Sequence, residues 1–486
     1  MRKLFTQYLL LLFAASSILV SCSKDDITPD SEKTENKVST DNSLRNFSFQ
    51  QKSNASLAAN CYATSGFDVI YITVPDGTPL NSLVPSFTAD SKAAVKCGGE
   101  TLESDSKALD FTETVTITVT SESGIAKQYT IIAKNGESNI DSKVYKFMLN
   151  HDIPGVSVSI SKDEEIVYSS GYGLANTETM ERVTVDHMFR LASMSKQHTA
   201  IAIMTLMERG LLSLEDIVFG EGGILEKDFG NNMSSDWKSI KVKHLLSHTG
   251  GLDPGDSYRD CMFGSSIYDN KTTKERVALL LKRSKIKNTP GAVFHYNNSY
   301  FGILGLVVER LSGKTFTNFM KEDIYAPIGI SHIDGGENDR VKKGEVYYYG
   351  QDGKNPFGND VEAGVAAGGV IASAPDLMKL MAHIDYGTKV PDILSKETLD
   401  RMYKAINVVD KDGASFNQYA LGWRINYSNY PDWAVLHGGT LAGVCPIWAR
   451  SYDNVNGVVL CNSRSYNKNI DSEMWHMLED LQDMYR

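Results

Sequence analysis

Cysteine is scarce, with six in 486 residues and no C-x-x-C pair. That excludes a disulfide scaffold, and the lack of any H-E-x-x-H leaves zinc without support. Basic charge is also short. Lys and Arg number 49 against 60 Asp and Glu, a formal charge of −11. This argues against nucleic acid or an anionic membrane surface as the main partner. Beyond the first 22 residues, no stretch is long and apolar enough to span a bilayer. Hydrophobic residues make up 42% and charged residues 22%, ordinary globular usage that excludes wholesale disorder and collagen. At ~150 residues per domain, the length predicts two or three domains.

What is present begins with Arg2 and Lys3 ahead of an apolar run from Tyr8 to Val20. The run is short for a membrane span and reads as a secretory signal. It ends in Leu19-Val20-Ser21-Cys22, which resembles the lipobox of bacterial lipoproteins. That resemblance implies a signal peptide over 1–21 and Cys22 as the lipidated first residue. The expected location is an exported outer-membrane lipoprotein, facing the periplasm or the cell surface. Residues 22–44 are almost free of large apolar side chains and read as a flexible tether.

Residues 45–136 change texture. Phe67 to Val74 reads as a strand. Val115, Ile117 and Val119 alternate with threonines, and Gln128 to Ile131 can return beside them. Short strands with turn signals predict a small all-β sandwich, similar to the immunoglobulin-like modules that precede exported bacterial enzymes. Its expected role is a spacer, with glycan or protein binding as the sharper alternative. Cys61 and Cys97 both fall here and are a candidate pair. From Ser142 to Arg486, hairpins mix with helices. Val156–Ile160 and Ile166–Tyr168 form a hairpin pattern, and helical spacing runs from Lys196 to Arg209 and from Tyr300 to Leu311. This mixture predicts α+β.

Three segments carry chemistry. Ser193-Met194-Ser195-Lys196 fits S-x-x-K. The same pattern starts at six other serines, but only Ser193 opens a strongly apolar helix. Residues i and i+3 share a helix face, so the Lys196 amine can reach Ser193 Oγ. Burial there would lower the lysine pKa and let it accept a proton. Tyr296-Asn297-Asn298 fits Y-x-N, in competition with Tyr268 and Tyr427. Tyr296 is preferred because Pro290-Gly291 turns the chain before it and an apolar helix follows. His437-Gly438-Gly439-Thr440 ends an apolar strand, and the Thr440 N–H is a candidate oxyanion donor beside Ser193 N–H.

In this order the segments resemble the serine β-lactamase and penicillin-binding-protein superfamily. The closest branch is that of class C β-lactamases, D-alanyl-D-alanine peptidases and related esterases. Supporting segments are Phe189–Ala192, His244–Leu252, Pro290-Gly291 and Ala367–Val370. The resemblance implies an antiparallel sheet flanked by helices, a helical region, and acyl transfer without metal or cofactor. It gives Ser193 as nucleophile, Lys196 and Tyr296 as proton-transfer pair, and Asn298, His437, Gly439 and Thr440 as substrate-binding residues. The substrate is then an ester, a D-amino-acid peptide or a β-lactam. Asn297 replaces the usual serine. His437 replaces the lysine of true class C enzymes, which predicts weaker carboxylate recognition. The rival activities are a class C-like β-lactamase and a weak penicillin- or peptidoglycan-binding sensor.

Overall fold

A computed structural model describes residues 38–486, except 67, 76, 137–139, 180 and 427–430. The signal segment, Cys22, Phe67 and Tyr427 lie outside the described residues.

The N-terminal region is all β. A three-stranded sheet sets Arg45–Phe49 between Cys61–Tyr62 and Pro85–Thr88. A six-stranded sheet pairs Val69–Val74 in parallel with Ala126–Asn135, which pairs antiparallel with Val115–Thr120. Val115, Ile117 and Val119 face inward and their threonine neighbours outward, as strand alternation requires. Phe49, Ile72, Leu83, Ile117 and Ile131 form the core. One expectation is corrected. Residues 38–44, assigned by composition to the tether, are laid along this region. Ser39 N donates to Glu122, Tyr129 Oη donates to the Asn42 carbonyl, and Leu44 is buried. Short polar side chains there find partners, so low hydrophobicity does not leave the chain free. Cys61 and Cys97 sit in different sheets, and both thiols are free.

Helix α1 (Ile140–Asn150) leads into an antiparallel six-stranded sheet. Its strands are β1 (Gly155–Lys162), β2 (Glu165–Asn176), β3 (Glu181–Arg182), β4 (Trp433–Gly438), β5 (Ile447–Ser451) and β6 (Val455–Cys461). Their order across the sheet is β3-β2-β1-β6-β5-β4. Two distant parts of the chain therefore build one sheet, closed by the β1–β6 ladder. One face packs against α1 and the C-terminal helix, through Phe147, Met474 and Leu478. The other faces the large core that holds α2 (Ser195–Glu208) and α3 (Asn298–Ser312).

Helix α2 is buried beyond its apolar residues. Lys196, Gln197, His198 and Thr199 are as buried as Ile201 and Ile203. A helix covered on all sides must satisfy its polar side chains internally. Gln197 donates to the Gly422 carbonyl at 2.7 Å and Thr199 to the Ala366 carbonyl at 2.7 Å. Helix α3 begins at an Asn297 cap, whose side chain accepts from Ser299 N, and ends at Gly313 in the left-handed conformation.

Candidate active site

Ser193 lies on a tight turn, Ala192–Met194, which feeds directly into α2. Ala192 is held at φ +46, a left-handed conformation that costs a non-glycine residue about 1–3 kcal/mol. Surrounding bonds enforce it. Arg190 N donates to Tyr348 Oη and Leu191 N to the Val370 carbonyl. The Arg190 guanidinium is buried and donates to the carbonyls of Pro356 and Glu337, at 2.9 and 2.6 Å. The turn is thus tied to the long loop over Gly335–Gly358.

One turn on, Lys196 is fully buried. Its Nζ lies 3.3 Å from Ser193 Oγ, 2.8 Å from Asn298 Oδ1 and 2.6 Å from the Ala367 carbonyl. It also sits over the Tyr296 ring, 4.9 Å from the centroid. Burial pulls its pKa down to about 7; the Asp260 carboxylate opposes this and the Arg424 charge adds to it. Two of the three partners, an amide oxygen and a backbone carbonyl, can only accept. They occupy two N–H bonds in either protonation state. The third position, facing Ser193, carries a proton when the amine is charged and a lone pair when it is neutral.

Tyr296 is half-buried beside this pair, and among the described residues its enclosed hydroxyl has no hydrogen-bond partner. Its contact with Ser193 is looser than a formed hydrogen bond. Burial pushes the phenol well above its usual range, and the Ser193 hydroxyl and the Arg424 charge pull weakly the other way. The phenol therefore stays protonated. Asn298 accepts from Lys196 and gives one amide N–H to Asp260 Oδ2 at 2.8 Å. Asp260 is brought there by bonds from Cys261 N to Ser299 Oγ, and from Ser299 Oγ to the Arg259 carbonyl.

The strand-end segment lies against the turn that carries Ser193, and its glycine serves a different purpose from the one expected. A Cβ on Gly439 would meet the Leu191 carbonyl at 2.4 Å. The backbone approaching this glycine is the turn before Ser193, not a substrate. That approach puts Thr440 across the cleft from Ser193. Thr440 Oγ1 accepts from Arg464, and among the described residues its N–H has no backbone acceptor.

His437 departs from its assigned role. It is 1% exposed, and both ring nitrogens are engaged, so it does not line the cleft. Asn297 N donates to His248 Nδ1 at 3.1 Å, which puts the His248 proton on Nε2. That proton meets Tyr419 Oη at 3.2 Å, and Tyr419 meets His437 Nε2 at 3.3 Å. His437 Nδ1 then donates to the Gly438 carbonyl at 2.7 Å. Burial holds both imidazoles well below their usual pKa, so both are neutral. The His437 ring lies tilted behind that of Tyr296, at 6.3 Å between centroids. His248 is a structural hydrogen-bonder, and its ring lies 4.2 Å from that of Tyr296.

The cleft above Ser193 has a volume of about 910 Å³. Ser193, Asp260 and Asn298 line its floor, with Gly368 and Thr440 beside them. Asp352, Lys354 and Asn355 of the long loop form one wall. Of the three consecutive tyrosines there, Tyr348 and Tyr349 pack the loop through their hydroxyls and Tyr347 is exposed. Among the described residues, no three His, Cys, Asp or Glu side chains are arranged to hold a metal ion.

Sequence reasoning missed Asp260, Tyr419 and Arg424. Arg424 is half-buried beside β4, its backbone paired with Leu436. Its charge depresses the pKa of Lys196, His248 and His437, and it has no acidic partner among the described residues. None of these residues has a local motif; each is recruited by packing.

This α+β frame sets a serine–lysine pair at the head of a buried helix, with a tyrosine just before a second helix of the same core. The chain belongs to the β-lactamase family, whose family model matches residues 140–481. A second model, described as SGBP, N-terminal, matches residues 59–133. The chain is 22% identical over 337 residues to protein flp of Staphylococcus aureus strain MRSA252, covering 68% of this chain and 62% of that one. It thus spans about 62% of the length of that relative. It is 25% identical over 307 residues to a putative D-alanyl-D-alanine carboxypeptidase of Escherichia coli O157:H7, covering 56% of this chain and 68% of that one. Among solved structures it resembles the octameric penicillin-binding protein homologue from Pyrococcus abyssi. That match has 26% identity and a TM-score of 0.53, and covers 67% of this chain and 73% of the other.

Proposed function

We propose that the protein is an exported, lipid-anchored serine hydrolase that cleaves an ester or a D-amino-acid peptide through an acyl-enzyme on Ser193. The observation that carries this is the arrangement around Lys196. With two obligate acceptors fixed, the only proton the amine can lose without breaking a bond is the one aimed at Ser193. At pKa about 7 that loss occurs near neutral pH, and the lone pair then takes the serine proton. Ser193 Oγ attacks the carbonyl. The oxyanion is held by the N–H groups of Ser193 and Thr440, at ~2.7–4 kcal/mol for one such donor. Tyr296, still a phenol, passes its proton to the leaving group and is restored by the proton that Lys196 took from Ser193. Water then hydrolyses the acyl-serine.

The neutral His437 argued against substrates bearing a carboxylate. Arg424 reverses that expectation through its field: it does not line the cleft, but its charge reaches Lys196 and has no acidic partner among the described residues, so it favours a substrate carboxylate. This favours a D-amino-acid peptide with a free C-terminus, in line with the carboxypeptidase relative. It also keeps a class C-like β-lactamase as the second reading. The N-terminal β region serves as the spacer between anchor and enzyme.

The test is covalent labelling. The protein and its Ser193→Ala variant are incubated with a fluorophosphonate probe, and the intact masses are read. One adduct on the wild type and none on the variant is the expected result. A folded wild type that takes no adduct would overturn the hydrolase reading in favour of a binding or sensor protein.

A further inference from the structure

The β5–β6 ladder pairs Ile447 with Val459, Trp448 with Val458 and Ala449 with Gly457. Carried two residues on, the same register sets Cys445 opposite Cys461. Side chains alternate faces along a strand, so the two thiols emerge on the same side. They do: Cys445, Ile447, Ala449, Val459 and Cys461 share the core against the C-terminal helix, and Trp448 and Val458 belong to the other. Opposed antiparallel residues lie about 4.5–5.5 Å apart at Cα, inside the about 4.4–6.8 Å that a disulfide spans. Both thiols are buried and free in this structure.

The pair is wired to the cleft. Cys445 Sγ donates to Asp471 Oδ1 at 3.6 Å. Asp471 pairs with Arg464 at 2.9 Å, and Arg464 donates to Thr440 Oγ1 at 2.7 Å. Pro446, next to Cys445, accepts the Gly439 N–H at 2.8 Å. The segment from Gly439 to Pro446, which carries Thr440, therefore holds this cysteine next to its closing residue.

We propose that Cys445 and Cys461 form a cross-strand disulfide that clamps the return of the Thr440 segment. The two thiols lose two hydrogens to a small-molecule disulfide, which leaves as two thiols. Closure removes the S–H donor from Asp471 and leaves that carboxylate to Arg464 alone. Burial pushes both thiols up, so thiolate is scarce in the folded protein and exchange there is slow. The bond belongs to the folding chain, in the oxidising compartment that export would supply.

The test is refolding of the full chain from denaturant in a mixture of reduced and oxidised glutathione, followed by alkylation, intact mass and peptide mapping. The expected product has lost two hydrogens, links the Cys445 and Cys461 peptides, and has none of the other four cysteines in a disulfide. Cys445→Ser and Cys461→Ser each abolish the link, and Cys61→Ser preserves it. The bond closes a loop of about 15 residues and should raise the melting temperature by about 2–6 °C over the reduced form. Fluorophosphonate labelling of Ser193 should differ at least about 3-fold between the two forms. Refolded protein with both thiols alkylated, or with Cys61 joined to Cys97 instead, overturns the proposal. So does a Cys445–Cys461 bond that changes neither melting temperature nor labelling rate. The mass readout does not depend on Ser193 being the nucleophile.

Discussion

At the scale of single residues, Lys196 sets the pH behaviour. The neutral amine is the active form, so labelling of Ser193 should rise with pH and reach half its plateau near pH 7. Rapid-quench labelling from pH 5.5 to 9 measures this, and a flat profile would remove Lys196 as the base. The same burial has a stability cost. Between about pH 7 and 10.5 the unfolded chain binds a lysine proton that the folded chain does not, so this residue's contribution to stability rises with pH. Lys196→Met should abolish labelling yet gain stability over wild type as pH falls from 10.5 to 7, by up to about 4 kcal/mol. Denaturant melts of both proteins at pH 7 and 10 check it. Arg424→Gln should raise KM about 10-fold or more for a carboxylate-bearing D-peptide and leave a neutral ester nearly unchanged. Ser193, Lys196, Tyr296 and Asn298 were legible because motif spacing maps onto one turn of helix or one loop. Asp260, Tyr419 and Arg424 were not, because nothing near them in the chain marks the neighbours they acquire on folding.

At the scale of elements, hydrophobic spacing located α2 and α3 to within a residue or two, since their ends are marked by Gly210 and Gly313. It did not show that α2 is buried on every side, because periodicity is blind to polar residues satisfied inside. Nor did the H-x-G pattern reveal its use. Gly439 is small so that β4 can lie against the Leu191–Ala192 turn. Gly439→Ala must push that backbone apart, and a displacement of about 1 Å at the nucleophile costs about 100-fold in kcat/KM. Comparing melting temperature and labelling rate separates this loss from simple unfolding. Tyr419→Phe leaves two buried imidazole nitrogens unpaired and should cost about 2–4 kcal/mol of stability, read from a denaturant melt. The variant matches wild type in stability only if those imidazoles find other partners.

For the whole molecule, His198, His248 and His437 are buried and neutral. Burial drops His198 to about 3 and the other two well below their ordinary value. Below about pH 6.5 the unfolded chain takes up protons at all three and the folded chain does not, so stability falls as pH falls. Each contributes about 1.4 kcal/mol per pH unit, about 4 together. Circular dichroism against pH should therefore show a steep, cooperative loss of structure between pH 6 and 4. The α+β class and the β region before it were legible from changes of periodicity along the chain. The closure of one sheet by β1 and β6 was not, because that pairing joins segments nearly 300 residues apart and leaves no local pattern.

Arg190 offers a different kind of consequence. It fastens the long loop to the nucleophile turn through the oxygens of Pro356 and Glu337, and every amino acid supplies such an oxygen. Of the loop's side chains the grip uses Glu345, Tyr348 and Phe357, and it uses none of the three charged or amide side chains on the cleft wall. Asp352, Lys354 and Asn355, which face the cleft, can be exchanged while the chemical centre stays anchored. Evolution, or a protein engineer, can retool the wall for a new substrate without touching the machine behind it.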